Sequence, residues 1–168
     1  LIIYRMPQLD RFMGVLILLP FTVPPVVSSV GLLQLYADEP LALVGTPWIL
    51  AGCYFMVALP FVYRSLSSRL SALALHDLMD AAHLLGASTP RAFVSVVLPN
   101  LSKAWLASML VSLSFLLGEF VFANLLVGSQ FETLQIYLYN VRQTSGHFTS
   151  AIVMSYFVLT LLLTWIAL

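Results

Sequence analysis

The sequence predicts an all-α fold, a polytopic transmembrane helical bundle, and three observations carry that prediction. The first is composition: the 168 residues are 61% hydrophobic and only 8% charged, with mean hydropathy +0.99. A soluble domain of this size carries roughly three times that share of charge, so lipid is the solvent for most of the chain. The second is the spacing of charge, since residues 12–37, 40–63 and 143–168 carry none and 104–131 carry only Glu119. Each interval exceeds the roughly 20 helical residues that cross about 30 Å of hydrocarbon. The third is the missing apolar–polar alternation of a membrane barrel; backbone groups in lipid then find partners only within helices.

The elements follow in chain order. A first span is expected near 12–36, with Pro20, Pro24 and Pro25 inside it, and a second near 46–66, with Pro60 inside it. Proline removes an amide donor and clashes with the preceding turn, so both spans should kink or locally unwind. Residues 67–101 form a polar-edged segment outside the bilayer. A third span is expected near 102–127, where Ser108/Ser112 and Ser114/Gly118, small residues four apart, would let neighbouring helices approach closely. A fourth is expected near 148–168. Together they make residues 1–168 a single transmembrane domain. Trp48, Trp105, Trp165, Tyr137 and Tyr139 fall near span ends and suit aromatic belts. The chain opens at Leu1 without a signal-peptide pattern and stops in the apolar run Leu159 to Leu168, and so reads as a fragment of a longer polytopic protein.

Basic residues set the expected orientation. Arg5 and Arg11 precede the first span, and Arg64, Arg69, Arg91 and Lys103 flank or occupy the segment between the second and third. The loop at 36–46 has only Asp38 and Glu39, and the loop at 128–147 has Arg142 as its one basic residue. The positive-inside rule then puts residues 1–11 and 67–101 in the cytoplasm. Net charge is zero and no basic run occurs, which argues against a nucleic-acid partner. Cys53 has no second cysteine to pair with and suits a small core position. His76 and His83 could share a helix face, but no third ligand is near, so no metal site is expected.

The cytoplasmic segment has its own internal order. Residues 71–85 are rich in Ala and Leu and favour a helix, which Gly86 can terminate. Thr89 is a plausible N-cap for a second short helix begun by Pro90, Pro99 closes that helix, and Asn100 or Ser102 can cap the next span. The pair should be L-shaped, with Leu78, Leu84, Leu85, Phe93 and Val97 on its apolar side and Asp80, His83 and Arg91 on its polar side.

Asp80-Ala81-Ala82, three residues, Gly86, nine residues, Val96, one residue and Leu98-Pro99 resemble the EAA signature of ABC importer permeases. Asp80 stands for the commoner Glu and Val96 for the commoner Ile. Leu19-Pro20, Pro24-Pro25 and Leu117-Gly118-Glu119-Phe120 also look like this family. The resemblance covers essentially the whole chain, corresponding to the last four of the usual five or six helices. It implies that 67–101 is a coupling segment docking in a groove of a separate ATPase subunit. Ala81 and Ala82 would keep the docking face thin, Asp80 would offer a charge-assisted acceptor, and Gly86 would permit the bend. The implied partners are that ATPase, a second permease subunit, identical or homologous, and a periplasmic substrate-binding protein. ATP and Mg²⁺ would be held by the ATPase, since the run from Gly86 to Arg91 lacks the Gly-Lys-Ser/Thr of a phosphate-binding loop. Gly118-Glu119-Phe120-Val121 and the stretch from Gln135 to Ser155 look closest to the spermidine/putrescine group, with iron(III) and phosphonate permeases as relatives.

Glu119 is the only acid inside a span. Helical spacing would put Ser112, Phe115, Glu119 and Phe122 on one face together with Ser108. Two roles suit that stripe, with Asn124 beside it. It could line a solute path, Glu119 and the rings favouring a cation. It could equally be a packing stripe, with Glu119 bonded to a hydroxyl or protonated. Two other classes of membrane protein share these features. A passive channel or structural membrane subunit would move solute without ATP. An intramembrane serine enzyme built on Ser88 and His147 would need two residues predicted on opposite sides of the bilayer.

Overall fold

The computed structural model describes residues 7–142 and 146–167, with side chains for 12–142 and 146–166. Arg5, which enters the orientation reading, lies outside the described residues. Helices are α1 (Pro7–Thr22), α2 (Pro25–Tyr36), α3 (Pro47–Ala72), α4 (Leu75–Leu84), α5 (Thr89–Ala92), α6 (Leu98–Leu117), α7 (Val121–Leu126), α8 (Leu134–Val141) and α9 (Gly146–Ala167). Stretches Pro47–Ala72, Thr89–Leu117 and Gly146–Ile166 are long and apolar enough to cross a bilayer. No strand occurs among the described residues, and the all-α reading holds.

The first expected span is two helices. Phe12–Thr22 and Pro25–Tyr36 meet at 90°. Consecutive prolines dictate this: the residue before a proline is pushed out of the helical region, and Pro24 sits at φ −56°, ψ 139° ahead of Pro25. Pro25 then opens α2, where its missing amide costs nothing. Pro20 and Pro60, by contrast, stay inside α1 and α3. The second span runs past its expected end at residue 66, because α3 continues to Ala72. Its 26 residues measure about 39 Å, enough to cross the hydrocarbon.

The third span differs at both ends. It does not begin after Pro99; a π-helical turn, Phe93–Val97, joins α5 to α6 and makes Thr89–Leu117 one continuous 29-residue stretch. The wider turn gives room for a proline ring and for its missing donor. Asn100 and Ser102 do not cap the span. Asn100 donates to the Val96 carbonyl at 2.8 Å and Ser102 to that of Pro99 at 2.7 Å. At the far end the helix stops at Leu117 rather than 127, and α7 begins after a break at 118–120.

Helices α3 and α6 form the central pair; α1 packs on α3, α9 on α6, and α2 on α7. Ser65 of α3 donates to the Ala104 carbonyl of α6 at 3.1 Å. Ser108 and Ser112 are buried, their hydroxyls turned back to carbonyls of their own helix, where they cost no unpaired donor. A Cβ on Gly118 would lie about 3.0 Å from the Tyr156 hydroxyl, so a larger residue there would push that side-chain tip of α9 aside. Burial divides into two clusters. Ile49, Leu50, Cys53, Phe122, Ala123, Leu126, Val127 and Ile136 form one, around α3 and α7. Met79, Ala82, Ala92, Val97 and Leu101 form the other, inside the α4–α5 hairpin. Most other large apolar side chains face outward, as a lipid-solvated surface requires.

Candidate functional site: an exposed hairpin tip and a cavity between two helix breaks

The hairpin is held by backbone chemistry at Gly86. Its amide donates to the His83 carbonyl at 2.9 Å, and the Ala87 amide donates to that of Ala82 at 3.0 Å. These are the paired bonds of a Schellman cap, which needs a residue at positive φ; Gly86 has φ +83°. Nothing lies within 4 Å of where its Cβ would be, so backbone conformation and not space requires glycine. Gly86→Ala should therefore loosen this turn by about 1 kcal/mol, seen as roughly fivefold faster hydrogen exchange at residues 85–87. The α4 helix starts at Leu75, not Ser71, since Ser71 and Ala72 belong to α3. Ser88, not Thr89, is the N-cap residue of α5. The Thr89 hydroxyl instead meets His83 Nε2 at 3.3 Å, tying the two arms together.

The motif residues separate into two faces. Asp80 and Ala81 are exposed on the outside of α4, whereas Ala82 is only 6% exposed. Ala82 packs with Met79, Ala92, Val97 and Leu101, so its small size serves close approach of the hairpin arms and not a thin outer face. Val96 packs partly against the same cluster, while Leu98 and Pro99 are exposed at the entry to α6. The apolar side expected for this segment is also corrected. Leu84 and Leu85 are each 89% exposed, although Phe93 and Val97 do lie inside. The reason is positional: Met79 and Ala82, three apart, face the second arm, and the next residues on that stripe fall beyond the cap.

The second region is a cavity of about 580 Å³ where the elbow of α1 and α2 faces the break between α6 and α7. Pro20, Phe21 and Val23 line one side; Phe115, Gly118 and Glu119 line the other. Side-chain hydrogen bonds bridge the break. Gln135 Nε2 of α8 donates to the terminal Leu117 carbonyl of α6 at 2.9 Å. The Glu119 carboxylate accepts the amides of Phe122 and Ala123 at 2.8 and 3.2 Å, and the Tyr54 hydroxyl donates to it at 3.3 Å. A carboxylate at a helix start meets unpaired amides and the positive end of the dipole, which lets it sit at membrane depth.

The stripe expected through Ser112, Phe115, Glu119 and Phe122 is accordingly not one helical face, because α6 ends between Phe115 and Glu119. Phe115, Glu119 and Phe122 do line the cavity. Ser112 is buried instead, bonded to the Ser108 carbonyl at 2.7 Å, and Asn124 is exposed on α7 without lining the cavity. Sequence reasoning missed Tyr54 and Gln135. Their signal was available: polar groups in otherwise apolar stretches, able to serve a helix break once Gly118 is seen to make one.

A multi-pass α-helical membrane protein, with helices broken beside a cavity and a helical hairpin joining α3 to α6, is the class these elements define. Residues 2–168 match the family of binding-protein-dependent transport system inner membrane components, and the chain belongs to it, the ABC importer permeases. Among relatives, a Salmonella typhimurium protein named for 2-aminoethylphosphonate transport is 25% identical over 132 residues, covering 79% of this chain and 49% of that one. The sulfate transport system permease of Escherichia coli is 34% identical over 130 residues, covering 70% and 45%. A Prototheca wickerhamii protein named for sulfate transport is 32% identical over 120 residues, covering 66% and 47%. The chain thus spans about half the length of these relatives. No solved structure matches significantly.

Proposed function

We propose that the chain forms half of the solute pathway of an ATP-driven importer in a bacterial inner membrane. A second permease subunit forms the other half, a separate ATPase docks on the α4–α5 hairpin from the cytoplasm, and a periplasmic binding protein delivers the solute. The observation that carries this reading is the hairpin tip, where two leucines stand almost fully exposed on a turn fixed by Gly86. Exposed apolar side chains on a rigid mount beyond the membrane suit a soluble partner's groove. Nucleotide-driven movement of that partner then reaches α3 and α6 directly, since the hairpin joins them.

The solute is a small polar molecule. Glu119, whose carboxylate accepts from two amides and a phenol, has a structural role there and does not by itself mark a polyamine path. Oxyanions such as 2-aminoethylphosphonate and sulfate, for which relatives are named, come first. Proteoliposomes carrying the full-length transporter with its ATPase and binding protein test both levels of the reading. Uptake of one of these two solutes, dependent on ATP and on the binding protein, is the expected result. Uptake of putrescine alone would reverse the solute assignment. Flux that needs neither ATP nor the binding protein would replace the importer with a passive channel.

A further inference from the structure

The hairpin end of α3 carries donors that the fold leaves unused. A cleft of about 770 Å³ lies between α1 and this part of α3. Arg64, Ser67, Ser68 and Ser71 line its α3 side, spaced so that all four fall on one helical face. Gly14, Val15 and Leu18 supply an apolar wall on α1, and no acidic side chain is among the described residues that line the cleft. The Ser71 hydroxyl donates to the Ser67 carbonyl at 2.9 Å, and that of Ser65 to the Ala104 carbonyl at 3.1 Å, so both are already engaged. Arg64 is exposed, and neither its guanidinium nor the Ser67 and Ser68 hydroxyls bond to a described residue.

Depth selects what such a cleft can hold. Trp48, 73% exposed at the start of α3, marks one edge of the hydrocarbon. Counted from Pro47, Arg64 lies about 26 Å along the helix and Ser71 about 36 Å. The opposite edge, about 30 Å away, falls between them. Phospholipid phosphates meet the first acyl carbons at that level. The forked donors of arginine match phosphate oxygens, and a basic pocket between spans is a ready seat for an anionic headgroup. We propose that the cleft between α1 and α3 binds one anionic phospholipid, its phosphodiester held by Arg64, Ser67 and Ser68 and an acyl chain laid along Gly14, Val15 and Leu18. A small oxyanion would satisfy the same donors but leave the α1 wall unfilled; a lipid fills both halves. The site stands whichever solute is carried, since it needs only that α3 crosses the bilayer. A lipid held there bridges α1 to the end of α3 that leads into the hairpin.

Native mass spectrometry of the complete transporter with its ATPase, in detergent, measures the site. Phosphatidylglycerol is titrated against phosphatidylcholine with the same acyl chains, whose own choline cation competes for the phosphate. The anionic lipid should bind about fivefold more tightly, the scale of one basic side chain at a membrane surface. Arg64→Gln should erase that preference and Arg64→Lys should keep most of it. Ser67→Ala with Ser68→Ala should weaken phosphatidylglycerol binding about threefold. Arg69→Gln, about 140° away around α3, should leave it nearly unchanged. Reading the difference between parent and variant removes lipids held elsewhere in the complex. Sulfate or inorganic phosphate in large excess should displace none of the bound lipid. Equal binding of the two lipids by the parent, or equal losses in Arg64→Gln and Arg69→Gln, overturns the proposal, since the attraction is then diffuse. Displacement by sulfate or phosphate overturns it too and makes the cleft a small-oxyanion site. Where Arg64→Gln fails to assemble, the double serine variant takes its place, and undiminished phosphatidylglycerol binding by that variant overturns the proposal.

Discussion

Glu119→Ala is expected to destabilise the protein more than any other single substitution in the membrane-embedded part. The carboxylate accepts two backbone amides at the start of α7 and the Tyr54 hydroxyl from α3. Removing it strands three donors where water is scarce, each worth about 1–3 kcal/mol when buried, and Glu119 is part-buried, so a total of about 2–4 kcal/mol is expected. For a chain of this size that lowers the thermal midpoint of the detergent-solubilised transporter by roughly 5–10 °C. Glu119→Gln keeps one acceptor oxygen and should lose about half as much. The pair of variants also separates a structural carboxylate from a solute-binding one. A charge that attracts a cationic solute would make Glu119→Gln abolish uptake with an unchanged midpoint, and that result would restore the stripe reading.

The same residue shows what the sequence could and could not reveal. That Glu119 must be bonded or face a cavity follows from the cost of a lone charge in lipid. Which partners it finds does not follow, because the hydropathy of 104–131 is continuous and hides the break at 118–120. Gly118 is the hinge, yet it takes an ordinary right-handed conformation with φ −86°, so no turn signature announces it. The Pro24–Pro25 break was legible because two successive rings leave the backbone no helical option. Pro20 and Pro60 use the same residue type and stay within helices, so proline alone did not decide. In the hairpin, the Gly86 cap was legible from local chemistry and is present with its paired bonds. The inward face was not. Helix periodicity permits several stripes on α4, and the one chosen, Met79 with Ala82, depends on how closely Ala92 and Val97 approach from the second arm. Leucine content pointed to Leu84 and Leu85, which tertiary packing leaves outside.

Replacing both of those leucines, Leu84→Ser with Leu85→Ser, should nearly abolish capture of the ATPase while leaving the membrane domain intact. At 89% exposure each, they contribute little to the hairpin's own core, and substitutions at such positions usually change stability by less than about 0.5 kcal/mol. Buried in a partner's groove, each leucine contributes about 1.5–3 kcal/mol, and even half of the combined figure weakens binding roughly tenfold to a hundredfold. Asp80→Arg tests the polar side of the same tip. It reverses an exposed charge one turn before Leu84 and should slow association, with the effect fading as salt rises. Copurification of the tagged transporter measures both, and a thermal midpoint within about 2 °C of the parent verifies that the fold is intact, as a change below 0.5 kcal/mol requires. Full retention of the ATPase by the double leucine variant would show that the tip is not the docking element. The coupling would then run through the other outward-facing motif residues, Asp80 and Ala81 on α4 or Leu98 and Pro99 at the root of α6.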